Sequence, residues 1–340
     1  MGTQLSQRPS QNIVTRRIAI SLLGGTPFVW AQQSGSQGGE DLPTIRVDVD
    51  LVNVLFSVRD KKGALVPALT RDDFSVYEDG KKQEIKYFAH ETDLPLTLGL
   101  LVDVSGSQGR LIPEEKAAAA QFFQQVLRKK DMAFLISFGA DADLLQDLTG
   151  SPALLREALN ELRLNSGVGG IHPGPVPTAS KPKGTILYDA VYLAASEKLK
   201  SEVGRKAIVL ISDGMDFGST YTRQQAIEAA HRADTLIYSI YFVDHAAYGF
   251  GNGGMMIGGA SDGDLKKMSE ETGGRLFHVS NSNTLKKIFD DIQAEMRSQY
   301  VIGYSSNNEN SDGGFRKLEI KPTEKNLKVQ ARKGYFARRG

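Results

Sequence analysis

The segment LGLLVDVSGSQG, residues 98–109, is the part of the chain that decides the fold class. It begins with a continuous apolar run, which is typical of a central strand covered by helices on both faces. The run ends abruptly in Asp103, Ser105 and Ser107, three oxygen-bearing side chains at alternate positions. Side chains of this kind either act as a nucleophile or bind a phosphate or a metal ion. The rest of the chain has to decide between these chemistries.

Strand and helix patterns alternate around this segment, from residue 94 to residue 298. The stretch EEKAAAAQFFQQVLRKK, residues 114–130, is an amphipathic helix pattern with acids at its start and bases at its end, as the helix dipole favours. Alternation of this kind predicts an α/β domain with a doubly wound, mostly parallel, Rossmann-like sheet. In such folds the ligand site lies beyond the carboxyl ends of the strands.

Two flanking segments, residues 45–91 and 299–340, have β character. The first contains DDFSVYEDGKKQEIKYFAHE, in which an Asp-Gly turn between strand patterns indicates a hairpin. Neither flank is long enough to bury a good core alone. We therefore expect the two flanks to pair into one small β-domain, which the α/β domain at 94–298 interrupts.

Residues 1–31 have the pattern of an export signal, with Arg16 and Arg17 before a short apolar segment that ends in Val29-x-Ala31. Gly-Gly and Pro27 interrupt this segment, so we expect no integral membrane span in the mature chain. Residues 32–44 are rich in Gly, Gln and Ser, which predicts a linker. These features predict an exported protein, placed in the periplasm, on the cell surface or in the medium.

The composition excludes several classes of function. The net charge is +1 and no long basic or acidic run occurs, so the chain lacks the electrostatic pattern of a nucleic-acid-binding protein. It contains no cysteine, which excludes thiolate metal sites, disulfides and a cysteine nucleophile.

Two further residues select a metal ion as the ligand of the first segment. Thr185 opens a helix pattern after a long loop, and Asp213 ends the strand pattern KAIVLISDG. With Asp103, Ser105 and Ser107 they supply two carboxylates and three hydroxyls at one edge of the predicted sheet. Hard oxygen donors of this kind suit Mg²⁺ first, with Mn²⁺ or Ca²⁺ as alternatives, and they do not suit zinc. Neutral hydroxyl ligands would also let an incoming carboxylate complete the octahedron without much repulsion.

The segments DVSGS (103–107), GTILYDAV (184–191) and ISDG (211–214) together resemble the metal-ion-dependent adhesion site of von Willebrand factor A-type domains. The resemblance covers residues 94–298, and the flanks are similar to the ends of bacterial, notably acidobacterial, von Willebrand factor A-related proteins. It implies that Ser105, Ser107 and Thr185 contact the ion directly. It also implies that Asp103 and Asp213 act directly or through water, and that a partner's Glu or Asp fills the open position.

The same residues have other interpretations. Asp and Ser are common at strand-to-helix turns, where they only cap helices. A serine nucleophile needs a base and a frame such as G-x-S-x-G, which VSGS lacks. SGSQG matches neither a P-loop nor a dinucleotide-binding loop. Near the five candidates, Asp216 is expected to be a solvated carboxylate, and Gln108 to face the site.

The sequence thus predicts a non-enzymatic, metal-dependent module that binds a protein ligand presenting Asp or Glu. A metal-dependent hydrolase and a structural domain whose ion only stabilises loops are the alternatives. Two long loops, at 163–184 and 245–263, depart from the family pattern. The second carries Met255, Met256 and Ile257, which either contact a partner or fold back on the protein.

Overall fold

The structure is a computed structural model that describes residues 51–91, 94–164, 184–244, 247, 260–308 and 310–337. The predicted leader, the predicted linker and most of the two long loops, including Met255, Met256 and Ile257, lie outside the described residues. Val49–Gly340 forms one compact unit. None of the helices in the described ranges is long and apolar enough to cross a membrane.

A six-stranded sheet forms the centre of the α/β part. Its strands are β5 (Leu96–Asp103), β6 (Met132–Phe138), β7 (Ala142–Thr149), β8 (Arg205–Ser212), β9 (Thr235–Tyr241) and β10 (Leu276–His278). Their order across the sheet is β10-β9-β8-β5-β6-β7. All neighbours are parallel except β6 and β7, which form an antiparallel edge. The predicted doubly wound, mostly parallel α/β fold is therefore confirmed.

Within the described ranges, six α-helices cover the two faces of this sheet. They are α1 (Ile112–Val126), α2 (Pro152–Asn160), α3 (Leu187–Leu193), α4 (Arg223–Arg232), α5 (Gly263–Thr272) and α6 (Leu285–Arg297). Residues of α1, α2 and α6 share one apolar core, and residues of α3, α4 and α5 share the other. On β5, Leu100 and Val102 belong to the first core and Leu101 belongs to the second. Every residue of β5 is buried, and burial on both faces explains the apolar run Leu98–Val102.

Two small antiparallel sheets combine strands from both flanks of the chain. The first flank supplies β1 (Leu51–Arg59), β2 (Phe74–Glu78), β3 (Lys81–Gln83) and β4 (Ile85–Glu91). The second supplies β11 (Gln299–Ser305), β12 (Phe315–Pro322), β13 (Lys328–Ala331) and β14 (Gly334–Phe336). One sheet has the order β13-β1-β11-β4, and the other has the order β14-β12-β2-β3. That these sheets constitute a domain separate from 94–298 stays a proposal, because both parts lie in one compact unit.

Two local expectations differ from the structure. The hairpin predicted over residues 72–91 forms between β2 and β3 around Asp79 and Gly80, both with positive φ, and the chain then passes to the other sheet as β4. The helix pattern from Thr185 onward starts as α3 and continues as a π-helical turn over Ala194–Leu199.

Candidate metal-binding site

The candidate site lies where the strand order of the central sheet reverses direction. β5 has β6 on one side and β8 on the other, so the connection that leaves β5 towards β6 and the one that leaves β8 towards β9 run in opposite directions and open a crevice at the carboxyl ends. β5 ends at Asp103, and β8 ends one residue before Asp213. Because β5 and β8 are parallel neighbours, with Val102 opposite Ile211, the two aspartates emerge at the same edge.

Asp103 is fully buried at this edge, and its two oxygens are held by different segments. The Ser105 backbone N–H donates to Oδ1 at 2.9 Å, which closes the turn after β5. The Ser212 hydroxyl donates to Oδ2 at 2.6 Å. Ser212 in turn accepts a hydrogen bond from the Gly214 backbone N–H at 3.0 Å, so the ends of β5 and β8 are tied together.

A second set of hydrogen bonds connects the hydroxyls to Asp213. The oxygens Ser105 Oγ and Ser107 Oγ lie 3.2 Å apart, and the Ser107 hydroxyl donates to Asp213 Oδ2 at 2.6 Å. The other oxygen of Asp213 accepts from the Met215 backbone N–H at 3.1 Å. Asp213 is fully buried, whereas Ser107 is partly exposed. The arrangement therefore places a hydroxyl between a buried carboxylate and solvent.

Thr185 reaches this edge through its backbone. It forms an isolated antiparallel bridge with Phe217, whose N–H donates to the Thr185 carbonyl at 2.7 Å. Phe217 lies in the loop that follows Asp213, so the bridge attaches the start of the α3 region to that loop. Thr185 is buried. The structure thus brings the three sequence segments of the predicted site into contact through Asp103, Ser107, Asp213 and the Thr185 backbone.

One expectation about a neighbouring residue needs correction. Asp216 is half-buried and not a solvated carboxylate: it accepts hydrogen bonds from the Tyr188 backbone N–H, at 3.2 Å, and from the Ser219 hydroxyl. It was expected in solvent because the turn residues around it are polar. Gln108, which was expected to face the site, is fully buried, and its amide nitrogen donates to the Phe242 carbonyl at 3.3 Å.

Sequence reasoning missed two residues at this edge. Ser212 holds Asp103, yet as the last residue of an apolar strand it gave no signal beyond its polarity. Asp189 is buried and accepts from the backbone N–H groups of Thr220, at 3.0 Å, and Tyr221, at 2.8 Å, which fixes the loop after Asp213 against α3. An aspartate in the apolar pattern LYDAV was the available signal for this contact.

The electrostatics of the site favour a cation. Burial, and then the charge of Asp213, raise the pKa of Asp103 from 3.8 to about 7. Two buried carboxylates at one edge repel each other, and a bound cation would relieve this repulsion. Within the described ranges, no three His, Asp or Glu side chains group as a metal site.

The donor set fits a hard divalent cation. The Ser107 hydroxyl donates a hydrogen bond to Asp213 and accepts one from the Ser105 hydroxyl, which leaves one lone pair of the Ser107 oxygen free to bind an ion. Carboxylate and hydroxyl oxygens are ligands that Mg²⁺, Mn²⁺ and Ca²⁺ accept. The residues present are therefore chemically suited to the ion that the motif implies.

Comparison with known proteins gives fold likenesses only. No family model matches the chain, and no curated protein matches it. Among solved structures, proximal thread matrix protein 1 from the mussel byssus is 13% identical and covers 71% of this chain with a TM-score of 0.43. This chain covers 50% of that protein, so it spans about half of its length.

Two bacterial structures are also similar. The conserved hypothetical protein BatB from Bacteroides thetaiotaomicron is 19% identical, with 60% of this chain and 97% of that chain covered and a TM-score of 0.42. The vWF domain of the type V pili tip protein Mfa5 from Porphyromonas gingivalis is 13% identical, with 60% and 95% covered and a TM-score of 0.41. At these identities and TM-scores, the likenesses carry no argument about what this chain binds.

Proposed function

We propose that this chain binds a divalent cation, Mg²⁺ in the first place, and through it a carboxylate of a protein partner. The ligands would be Asp103, Ser105, Ser107, Thr185 and Asp213. One observation carries the proposal: the Ser105–Ser107–Asp213 hydrogen bonds join two strand ends at the switch point of the sheet, beside the buried Asp103. Helix capping alone does not require two buried carboxylates at one edge.

Each residue has a defined task in this proposal. Asp213 accepts the hydrogen bond of the Ser107 hydroxyl, so that a lone pair of the Ser107 oxygen is left for the ion. Ser212 and the Ser105 N–H hold the Asp103 carboxylate in place. The charges of Asp103 and Asp213 balance that of a divalent ion, and the three hydroxyl ligands add no further negative charge. A carboxylate from outside the chain would therefore meet little repulsion at the open position, where the ion binds it.

The proposed role is binding and not catalysis. A metal-dependent hydrolase and a domain whose ion only stabilises loops are the alternatives, and both share the same ligands. They differ in what occupies the open position: substrate in the first, water in the second, and a partner's Glu or Asp in our proposal. The leader pattern at residues 1–31 supports a location outside the cytoplasm, where adhesion modules meet their partners.

The first test is a thermal melt of the full chain in Mg²⁺, Mn²⁺, Ca²⁺ or chelator. Saturation at a hundred times the dissociation constant would stabilise the wild type by about 2.7 kcal/mol, which corresponds to a Tm increase on the order of 5 °C. We expect Asp103→Asn to remove the increase. Asp216→Asn is the matched control, because Asp216 is a half-buried carboxylate of the adjacent loop that lies outside the ligand set.

An equal Tm in Mg²⁺ and in chelator for the wild type would count against the ion site. If the ion stabilises the wild type, a pull-down from extracellular and envelope proteins, with and without chelator, tests the partner. Chelator-sensitive capture that Ser107→Ala abolishes supports carboxylate binding. Stabilisation without any chelator-sensitive capture would favour the structural ion.

A further inference from the structure

Glu115 is a buried carboxyl that the site described above does not use. It belongs to the first turn of α1, where an acid beside the exposed Glu114 is expected to face solvent. Its exposed fraction is instead 0%, and neither carboxylate oxygen has a hydrogen-bond donor among the described residues. In other proteins, burying a carboxyl without hydrogen-bond donors lowers the free energy of unfolding by several kcal/mol. That loss is a large part of the whole free energy of unfolding of a small domain.

Gln108 also has a buried oxygen to which the described residues supply no hydrogen-bond donor. The side chain is fully buried, and its Nε2 donates to the Phe242 carbonyl, but Oε1 has no donor within the part of the chain that the structure describes. The backbone links the two residues: the Leu111 N–H donates to the Gln108 carbonyl at 2.8 Å, and the Glu115 N–H donates to the Leu111 carbonyl at 3.0 Å. This spacing places Gln108 and Glu115 one above the other on the same side of the turns.

These buried oxygens share one chemical property. Each of the three oxygens can accept a hydrogen bond, and the described residues supply no donor to any of them. Hydrogen bonds place Gln108 at the carboxyl edge of the sheet: it donates to the Phe242 carbonyl, and the Phe242 N–H donates to the Ser212 carbonyl at 3.1 Å. Gln108 directly follows Ser107 in the chain, and after burial the charge of Asp103 is the next cause that raises the pKa of Glu115. A group that supplies hydrogen-bond donors, and preferably positive charge, would therefore satisfy all three oxygens.

We propose that Glu115 and Gln108 form an inner wall of the metal site and accept hydrogen bonds from water molecules bound together with the divalent ion. This inference rests on the proposed function, because a hydrated cation is what supplies both the donors and the charge. In this arrangement neither residue is a ligand of the ion. Both are positioning residues that act through its water shell, which is the usual task of an outer layer in metal sites.

The test compares Glu115→Leu, Glu115→Gln and the control Glu114→Gln in the full chain. Two quantities are measured: the Tm in chelator and the Mg²⁺ dissociation constant by calorimetric titration. We expect Glu115→Leu to raise the Tm in chelator, because an apolar side chain of similar size replaces an unpaired carboxyl. The same variant should weaken Mg²⁺ binding about tenfold or more. Glu114→Gln removes the same charge from the neighbouring exposed position and should change the dissociation constant less than about twofold.

A higher Tm in chelator together with weaker Mg²⁺ binding distinguishes this role from a purely structural one. If Glu115→Leu binds Mg²⁺ as tightly as the wild type does, the inference is overturned and the proposed function stands. If the wild type itself binds no Mg²⁺, both are overturned. Should Glu115→Leu fail to fold, Glu115→Gln decides: it keeps the shape but turns one acceptor into a donor, and an unchanged affinity in this variant also overturns the inference.

Discussion

Gly214 shows at the residue scale how the loop after β8 fixes the candidate site. It directly follows Asp213 and has a φ of 78°. A Cβ added here would lie 1.9 Å from the Ser261 carbonyl oxygen, a distance that no side chain tolerates. The Ser261 N–H also donates to the Asp213 carbonyl at 3.2 Å. The position of the Asp213 carboxylate therefore depends on close backbone packing, which only glycine permits.

We predict that Gly214→Ala destabilises the protein by about 2 kcal/mol or more, because left-handed strain and a backbone clash act together. It should also abolish the Tm response to Mg²⁺ by displacing Asp213. Gly63→Ala is the control: Gly63 also has a positive φ, but no heavy atom of the described residues lies within 4 Å of its added Cβ. Denaturant unfolding and the Mg²⁺ melt of both variants check this, and an intact Mg²⁺ response in Gly214→Ala would contradict it.

At the scale of elements, α4 packs against β12 and β14 through His231. The imidazole is buried and meets the rings of Phe315 and Phe336 edge-on, at 5.5 and 6.4 Å between centroids. Burial, and then the charge of Arg332, lower the pKa of His231 from 6.5 to about 4, although Glu271, Asp234 and Glu228 act in the opposite direction. The contact between these elements therefore requires a neutral imidazole.

This contact gives a pH prediction. Between pH 6.5 and 4, the unfolded chain binds a proton that the folded His231 does not, so stability falls as the pH falls through this range. The contribution of His231 to this loss reaches about 3 kcal/mol at pH 4. Between pH 7 and pH 4, the free energy of unfolding of His231→Leu should therefore fall by about 3 kcal/mol less than that of the wild type. His90→Gln, at an exposed histidine, should keep the wild-type slope, and equal slopes in the wild type and His231→Leu would refute the assignment.

Periodicity predicted the helices and strands well where it reflects burial. The buried, mostly apolar β5 and the amphipathic α1 are both observed, because their patterns record which faces are covered. It failed where a tertiary contact decided the conformation. Nothing local distinguishes the exposed Glu114 from the buried Glu115, and the crossing of the chain from β3 to β4 between two sheets depends on the partners that β11 and β12 provide.

At the scale of the whole molecule, Glu295 connects the flanking sheets to the α/β part. Its fully buried carboxylate, on α6, pairs with Arg59 of β1 at 2.6 Å and lies 3.5 Å from the Nε atom of Arg275, just before β10. The Ser57 hydroxyl of β1 donates to its other oxygen at 3.0 Å. One side chain thus joins a strand of the first flank, the last helix and the central sheet.

We predict that Glu295→Gln lowers the free energy of unfolding by about 3 kcal/mol, because two arginines lose the charge that compensates them in a buried place. Asp290→Asn on the same helix is the matched control, since Asp290 pairs with Lys286 only at the surface and should contribute less than about 0.5 kcal/mol. Denaturant unfolding measures both values. A loss for Glu295→Gln no larger than that of the control would show that this cluster does not couple the two parts.

The sequence by itself determined the fold class, the order of the strands and helices, and the edge at which the polar residues gather. These follow from burial periodicity and from the rule that parallel strands share a carboxyl edge, both of which are written in local patterns. Only the tertiary structure decided that Ser212 holds Asp103, that Gln108 and Glu115 lie buried with unpartnered acceptors, and that Glu295 joins β1 to α6. Such contacts join residues far apart in the chain, and their energies depend on desolvation and exact distance, which no local pattern encodes.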